Sequence, residues 1–223
     1  MADIIACSKD WFLESATRTG FALDSFSVIT ERQDLSENRL REENPRYIFF
    51  PHWNWRVPEN IWNRYECVVF HIAPLPFGRG GSPIQNLIAR GFSSAPVNAL
   101  RMVGELDAGP IYLSTEISLE GTLSEIFVRA ATVIEDQIVE IQTTSPEAIE
   151  QTGNPVVFSR LTREDNRIDD GDSLDEIWNK IRMVDADGYP DAHFQLETTE
   201  VLFTRARYVG NEIVGTFRFK EKK

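Results

Sequence analysis

Cysteine is scarce. Only Cys7 and Cys67 occur in 223 residues, and neither belongs to a CxxC pair. That excludes a disulfide framework and a thiolate metal site, and predicts two reduced thiols in the core of an intracellular protein. Long apolar stretches are missing too. No run approaches the roughly 18 residues a membrane helix needs, and the N-terminus lacks a charged-then-apolar leader. No membrane association is expected, and the location expected is cytoplasmic. Positive charge is also short: 23 Lys and Arg stand against 35 Asp and Glu, a formal net charge of −12. Such a balance argues against a general nucleic-acid surface, which demands a basic face. It leaves room for a local basic pocket that takes a phosphorylated small molecule. With 3 histidines and 2 cysteines at these spacings, no metal pattern arises.

Apolar material is ample: hydrophobic residues make up 42% of the chain, with 14 Phe and 5 Trp. Short apolar runs at 3–8, 26–30, 45–51 and 67–71 read as strands, and residues 11–20 read as a helix closed by Gly20. The polar stretch 31–44 fits a helix or a loop. Strands buried on both faces and separated by helical or loop segments imply a parallel sheet, whose ligands gather at the carboxyl ends of the strands. His52 and His71 fall at such ends. After His71 comes a loop with Pro74, Pro76, Arg79, Gly80 and Gly81. It feeds a helix expected to be capped by Ser82, with Pro83 at its first position and Gly91 as its stop. Capping boxes at Thr122/Glu125 and Ser173/Glu176 open two more helices. The first carries Leu123, Ile126, Phe127, Ala130, Ile134, Ile138 and Ile141 at helical spacing; the second offers Leu174, Ile177, Trp178 and Ile181. Beyond about residue 187 the pattern turns to β, with Gly210-Asn211 as a hairpin signal. The fold class expected is α/β: a Rossmann-like, mostly parallel sheet flanked by helices over 1–187, with a small antiparallel β extension over 188–223 packed on it.

The segment His71, Pro76, Arg79, Gly80, Pro83, followed downstream by Leu106-Asp107-Ala108-Gly109, resembles the two signatures of the folate-dependent formyltransferases. Residues 160–190, with Arg182, Asp185 and Tyr189, are similar to the segment that follows the family's core. The resemblance covers roughly residues 45 to 190. It implies an enzyme that moves a formyl group from 10-formyltetrahydrofolate, as co-substrate, to an amine, without a metal. It implies His71 and Asp107 as catalytic, with Pro76, Arg79, Gly80, Gly81, Leu106 and Gly109 around the folate. Lys9, Arg182 and Tyr189 are the candidates for the acceptor side. The chain departs from the family at one position: Val69 stands where the family has an asparagine that holds the formyl oxygen. Loss of one such donor costs on the order of 10²–10³ in rate. His52 and Asn54, at the end of the preceding strand, are the polar residues expected to compensate, and both are taken as catalytic.

Residue types support that chemistry independently. An amine that attacks a formyl carbon must shed a proton, and a histidine oriented by a carboxylate suits that task. The prolines stiffen the loop, while Gly80 and Gly81 allow close backbone approach. For the acceptor, acidity and short length disfavour a polyanion such as methionyl-tRNA. The glycine-free stretch after the first strand disfavours glycinamide ribonucleotide. An amino sugar carried on a nucleotide and used in surface-glycan biosynthesis is therefore expected as the small-molecule amine, and a homodimer is compatible with the sequence. A methionyl-tRNA or glycinamide ribonucleotide acceptor, and a hydrolytic or non-catalytic folate-binding homologue, are the alternatives.

Overall fold

The computed structural model describes residues 2–222. Its first strand, β1 (Ile4–Cys7), leads into α1 (Asp10–Thr19), which ends on Gly20 in the left-handed region at φ 78°. Next come β2 (Ser27–Ile29), a 3-10 turn at Arg32–Asp34, α2 (Glu37–Glu43), β3 (Tyr47–His52), α3 (Glu59–Trp62) and β4 (Glu66–Ile72). Both the helix and the loop allowed for 31–44 are thus present. The strand β5 (Phe77–Gly80) and the helix α4 (Pro83–Ala89) follow His71 directly. Then β6 (Ser94–Arg101), β7 (Ile111–Ser118), α5 (Leu123–Thr144), β8 (Val156–Phe158) and α6 (Leu174–Arg182) complete the main body. The chain closes with β9 (Ala192–Gln195), β10 (Thr199–Val209) and β11 (Glu212–Glu221).

The central sheet runs β2-β1-β3-β4-β6-β7. Its first four strands are parallel, and β6 and β7 join antiparallel. Alternation along the strands explains why they read as unbroken apolar runs. Ile5, Cys7, Phe49, Val68 and Phe70 point into one core cluster, together with α1, α4 and α5. Ile4, Ala6, Ile48, Phe50 and Cys67 point into a second, beneath Leu35, Leu40 and Ile61. Both faces are covered, so both residue sets must be apolar. Cys7 and Cys67 are free and buried, one in each cluster, and burial pushes their thiols up to about 11 and about 12.

Two strands carry no clear sequence signal. In β6, Pro96 and Asn98 interrupt the apolar alternation, although Ala95, Val97, Ala99 and Leu100 are all buried. In the loop after His71, residues 77–80 form β5, which pairs with β8 from far downstream. Pairing partners set that structure, not local propensity. The C-terminal sheet is antiparallel in the order β11-β10-β9, with the turn at 210–211 as expected, and Ala192 and Ala206 tie it to the main core. No helix among the described residues is long and apolar enough to cross a membrane.

Of the three side-chain caps expected, those at Thr122 and Ser173 form and that at Ser82 does not. Ser82 takes φ 48° and makes no capping bond to α4; its Oγ instead accepts from the Leu161 N–H at 3.1 Å. In α6, Leu174 is 48% exposed and the buried end belongs to Ile181 and Arg182. In α5 the box is complete: Thr122 Oγ1 accepts from the Glu125 N–H, and Glu125 Oε2 accepts from the Thr122 N–H at 2.7 Å. Replacing Thr122 by Ala leaves one backbone donor of the first turn without its acceptor. A loss of about 1 kcal/mol is expected in a urea titration, at unchanged slope.

Candidate functional site

The carboxyl ends of β1, β3 and β4 open into a cleft of about 730 Å³. His71 is in the final turn of β4, buried, with both ring nitrogens engaged. Its Nε2 lies 2.8 Å from the Gly78 carbonyl oxygen, and its Nδ1 lies 3.4 Å from Asp107 Oδ2. A carbonyl can only accept, so Nε2 carries a hydrogen. Nδ1 and the carboxylate are then two acceptors face to face unless a proton lies between them. The pair is therefore built to hold one proton.

Asp107 is held as firmly as the histidine. It sits at φ 53°, a left-handed conformation that Asp tolerates better than most residues. Its Oδ2 also accepts from the Gly80 N–H at 2.9 Å. Gln151 fixes the backbone on either side, donating from Nε2 to the carbonyl oxygens of Asp107 and Gly109, both at 2.8 Å. Gln151 Oε1 in turn accepts from Arg79 Nε and Nη2, at 3.1 and 2.8 Å. Arg79 also pairs with Glu105 at 3.0 Å. The arginine thus closes a clasp around the aspartate loop, and it does not line the cleft. Pro76 and Gly109 do not line it either, whereas Gly80, Gly81 and Leu106 do. Gly109 is required for another reason: a Cβ there would overlap the carbonyl oxygen of Arg101. At Gly80, φ is 98° and a Cβ would meet the Phe158 carbonyl oxygen at 2.7 Å.

Behind His71 stands Asn98 of β6, 2% exposed. Its Nδ2 donates to the Ala73 carbonyl at 2.7 Å and its Oδ1 accepts from Ser114 Oγ at 2.8 Å. Sequence reasoning passed over Asn98, Gln151, Trp11 and Arg160. Asn98 and Gln151 lie far from the motif in sequence and act through side-chain bonds to its backbone, so no local pattern marks them. Trp11 reads locally as a packing residue, and Arg160 as a solvated loop charge.

Across the cleft, His52 and Asn54 line the same space. Ser8 secures that corner: its N–H donates to the His52 carbonyl at 2.8 Å, and its Oγ accepts from the Asn54 N–H at 3.0 Å. The Trp11 indole N–H donates to His52 Nδ1 at 3.1 Å. Burial pushes His52 down to about 4; Lys9 and Arg160 act the same way, and Asn54 opposes them. Lys9, Arg160 and Tyr189 form another wall, with Lys9 Nζ 5.8 Å from the Tyr189 ring centroid. Neither Lys9 nor Arg160 has an ion-pair partner among the described residues. Arg182 lies elsewhere: its Nε donates to Asn179 Oδ1 at 2.8 Å and its Nη1 to the Leu119 carbonyl at 2.5 Å, off the cleft. The described residues contain no group of three or more His, Cys, Asp or Glu placed to hold a metal.

Two outcomes are expected from this geometry. Gly109→Ala should displace the aspartate loop, abolishing activity while far-ultraviolet circular dichroism stays that of a folded protein. The unfolded chain protonates His52 near its ordinary 6.5 and the folded chain only near 4, so stability falls as pH drops through that window. His193, buried with both ring nitrogens unpartnered and also pushed down, adds to the same slope. His52→Gln should flatten, though not remove, the decline of Tm between pH 6.5 and 4.

A family model described as "Methionyl-tRNA formyltransferase, C-terminal domain" matches residues 163–220. A methionyl-tRNA formyltransferase from Rickettsia canadensis is 27% identical over 82% of this chain and 62% of its own length. The chain thus spans about three fifths of the curated relatives it matches. A solved structure from Clostridium thermocellum, titled methionyl-tRNA formyltransferase, is 36% identical with a TM-score of 0.94, each chain covered in full. An N-formyltransferase from Helicobacter canadensis, solved with folinic acid and dTDP-3-aminofucose, shares the fold at 15% identity and a TM-score of 0.62, over all of this chain and 99% of its own.

Proposed function

The chain belongs to the formyltransferase family, and from that premise we propose that it transfers a formyl group from 10-formyltetrahydrofolate to the amino group of methionyl-tRNA. The observation that carries formyl transfer is the buried His71–Asp107 contact, 3.4 Å between Nδ1 and Oδ2, at the carboxyl end of the sheet. The cleft suits a reduced folate in size and lining. Its volume falls in the usual range for such ligands, with Trp11, Phe50 and Phe127 as apolar walls and polar groups concentrated near His71.

The acceptor corrects the expectation of an amino sugar, and with it the expectation of no nucleic-acid partner. The likeness to the Clostridium thermocellum structure runs over both whole chains, so short length does not argue against a tRNA-directed enzyme. The sugar-directed neighbour stands much further away. The charge argument failed because a net −12 is an average. Among the described residues Lys9 and Arg160 line the cleft without ion-pair partners, and Arg205 and Arg207 stand on β10, while Arg218 and Lys220 of β11 pair with Asp191 and Glu200. A polyanion meets these local groups, not the mean.

In this reading the His71–Asp107 pair gives the one proton it holds to the folate nitrogen as the old carbon–nitrogen bond breaks, and regains one from the amine whose nitrogen has bonded to the formyl carbon. Gly80 and Gln151 keep the carboxylate in reach throughout, and the Gly78 carbonyl keeps the ring from turning. The groups act as general acid and base, a contribution typically of about 10²–10⁴ in rate.

The purified protein should convert methionyl-tRNA to formylmethionyl-tRNA in the presence of 10-formyltetrahydrofolate, followed by acid gel or by mass of the released amino acid. Asp107→Asn retains an acceptor for the Gly80 N–H and cannot hold the shared proton. It should lower kcat by about 10²–10⁴ with little change in folate affinity. A wild-type protein that binds folate and leaves methionyl-tRNA unformylated would overturn the acceptor assignment.

A further inference from the structure

Formyl transfer at His71 calls for a hydrogen-bond donor beside the formyl oxygen, where negative charge develops as the amine attacks. Val69, one turn of the strand pleat before His71, lines the cleft and offers none. Several polar residues near it are already committed. Ser82 Oγ serves the Leu161 N–H, and Asn166 Nδ2 donates to the Pro190 carbonyl.

His52 is differently placed. In the parallel pairing of β3 with β4, Phe50 stands opposite Val69. Beyond that point β3 departs from regular register, and His52 comes to stand beside Cys7 of β1 at the strand ends. His52, Val69 and His71 all line the same cleft. The ring of His52 is also fixed chemically. An indole N–H can only donate, so His52 Nδ1, at 3.1 Å from Trp11 Nε1, must present its lone pair. The one hydrogen of the neutral ring is then on Nε2. Burial keeps the ring neutral down to about pH 4, and the adjacent cations Lys9 and Arg160 act in the same sense. A neutral imidazole in that tautomer cannot serve as a base at Nδ1; it is a fixed N–H donor.

We propose that His52 Nε2–H donates to the formyl oxygen during transfer, and that Trp11 is the positioning residue that makes it a donor by holding Nδ1 as an acceptor. Trp11 is itself held in place, stacked on Phe127 at 4.8 Å between ring centroids and 10° between planes. The indole therefore orients the imidazole from a rigid base on α1 and α5. Asn54, whose side chain is exposed, hydrogen-bonds the same ring as an acceptor, the role that the formyl oxygen takes over in the proposal. The proposal rests on the formyl-transfer reading above.

Three measurements test it, and they separate its failure from failure of that reading. Nitrogen-15 NMR of the imidazoles should show His52 of the wild type as the Nε2–H tautomer. Trp11→Phe, which keeps the ring on Phe127 and removes the N–H, should add the Nδ1–H form and raise the pH at which His52 titrates. Finding the Nδ1–H tautomer in the wild type, or no change in Trp11→Phe, would overturn the positioning role. Binding of a stable 10-formyl folate analogue is then compared with its unformylated parent. The formyl group should strengthen binding in the wild type and in His52→Gln, which retains an N–H donor, and should give no advantage in His52→Phe. An equal advantage in wild type and His52→Phe, or its loss in Asn54→Ala instead, would sink the donor assignment whatever the acceptor is. In turnover with methionyl-tRNA, His52→Phe should lower kcat by about 10²–10³, as for loss of one such donor, with KM for the tRNA unchanged. Trp11→Phe should fall between that value and the wild type. No formylation of methionyl-tRNA together with an intact formyl-dependent binding difference would remove the acceptor and leave the donor standing.

Discussion

The site depends on one carboxylate. Asp107 Oδ2 receives the Gly80 N–H and faces His71 Nδ1, and nothing else in the cleft ties the aspartate loop to the strand that carries the histidine. An acidic group so enclosed is costly to bury unless its lone pairs are used. Here a backbone donor and a ring nitrogen use them, and Gln151 and Arg79 hold the backbone that presents it. The rest of the local architecture follows from that constraint. Gly80 must be glycine to reach φ 98°, and Gly109 must be glycine to pass the Arg101 carbonyl. The chain after α5 must return to supply Gln151.

Much of this was readable in advance where residues act through backbone geometry or regular burial. The four parallel strands announced themselves because both faces are covered, and α1, α5 and α6 because their caps and stripes are local. His71 and Asp107 were found together through a motif whose spacing reflects two loops meeting at the sheet end. What stayed hidden depends on partners distant in sequence. β5 becomes a strand only because β8 pairs with it, and Ser82 abandons its helix for the Leu161 N–H. Arg79, placed against the folate by resemblance, spends its guanidinium on Gln151 and Glu105. Arg182, expected near the acceptor, is buried on the carbonyls that precede α5.

The acceptor was misjudged for a reason of scale. Net charge governs colloidal behaviour and long-range steering, and at physiological ionic strength its reach is about 8 Å. Within the cleft a ligand meets Lys9 and Arg160, whatever charge the rest of the chain carries. Composition answers what a whole surface repels. It does not say what one groove attracts.

The Gln151 clasp also orders events in time. Gln151 lies 44 residues from Asp107 and 72 from Arg79, so its bonds close long loops whose entropic cost must be met before they return anything. The parallel strands β1, β3 and β4 and the helices on them, α5 included, are complete by Thr144, before Gln151. A chain emerging from the ribosome therefore acquires its scaffold first, and its aspartate loop is left untethered until the segment past α5 arrives. The aspartate loop is therefore among the parts of the site that depend most on long-range closure.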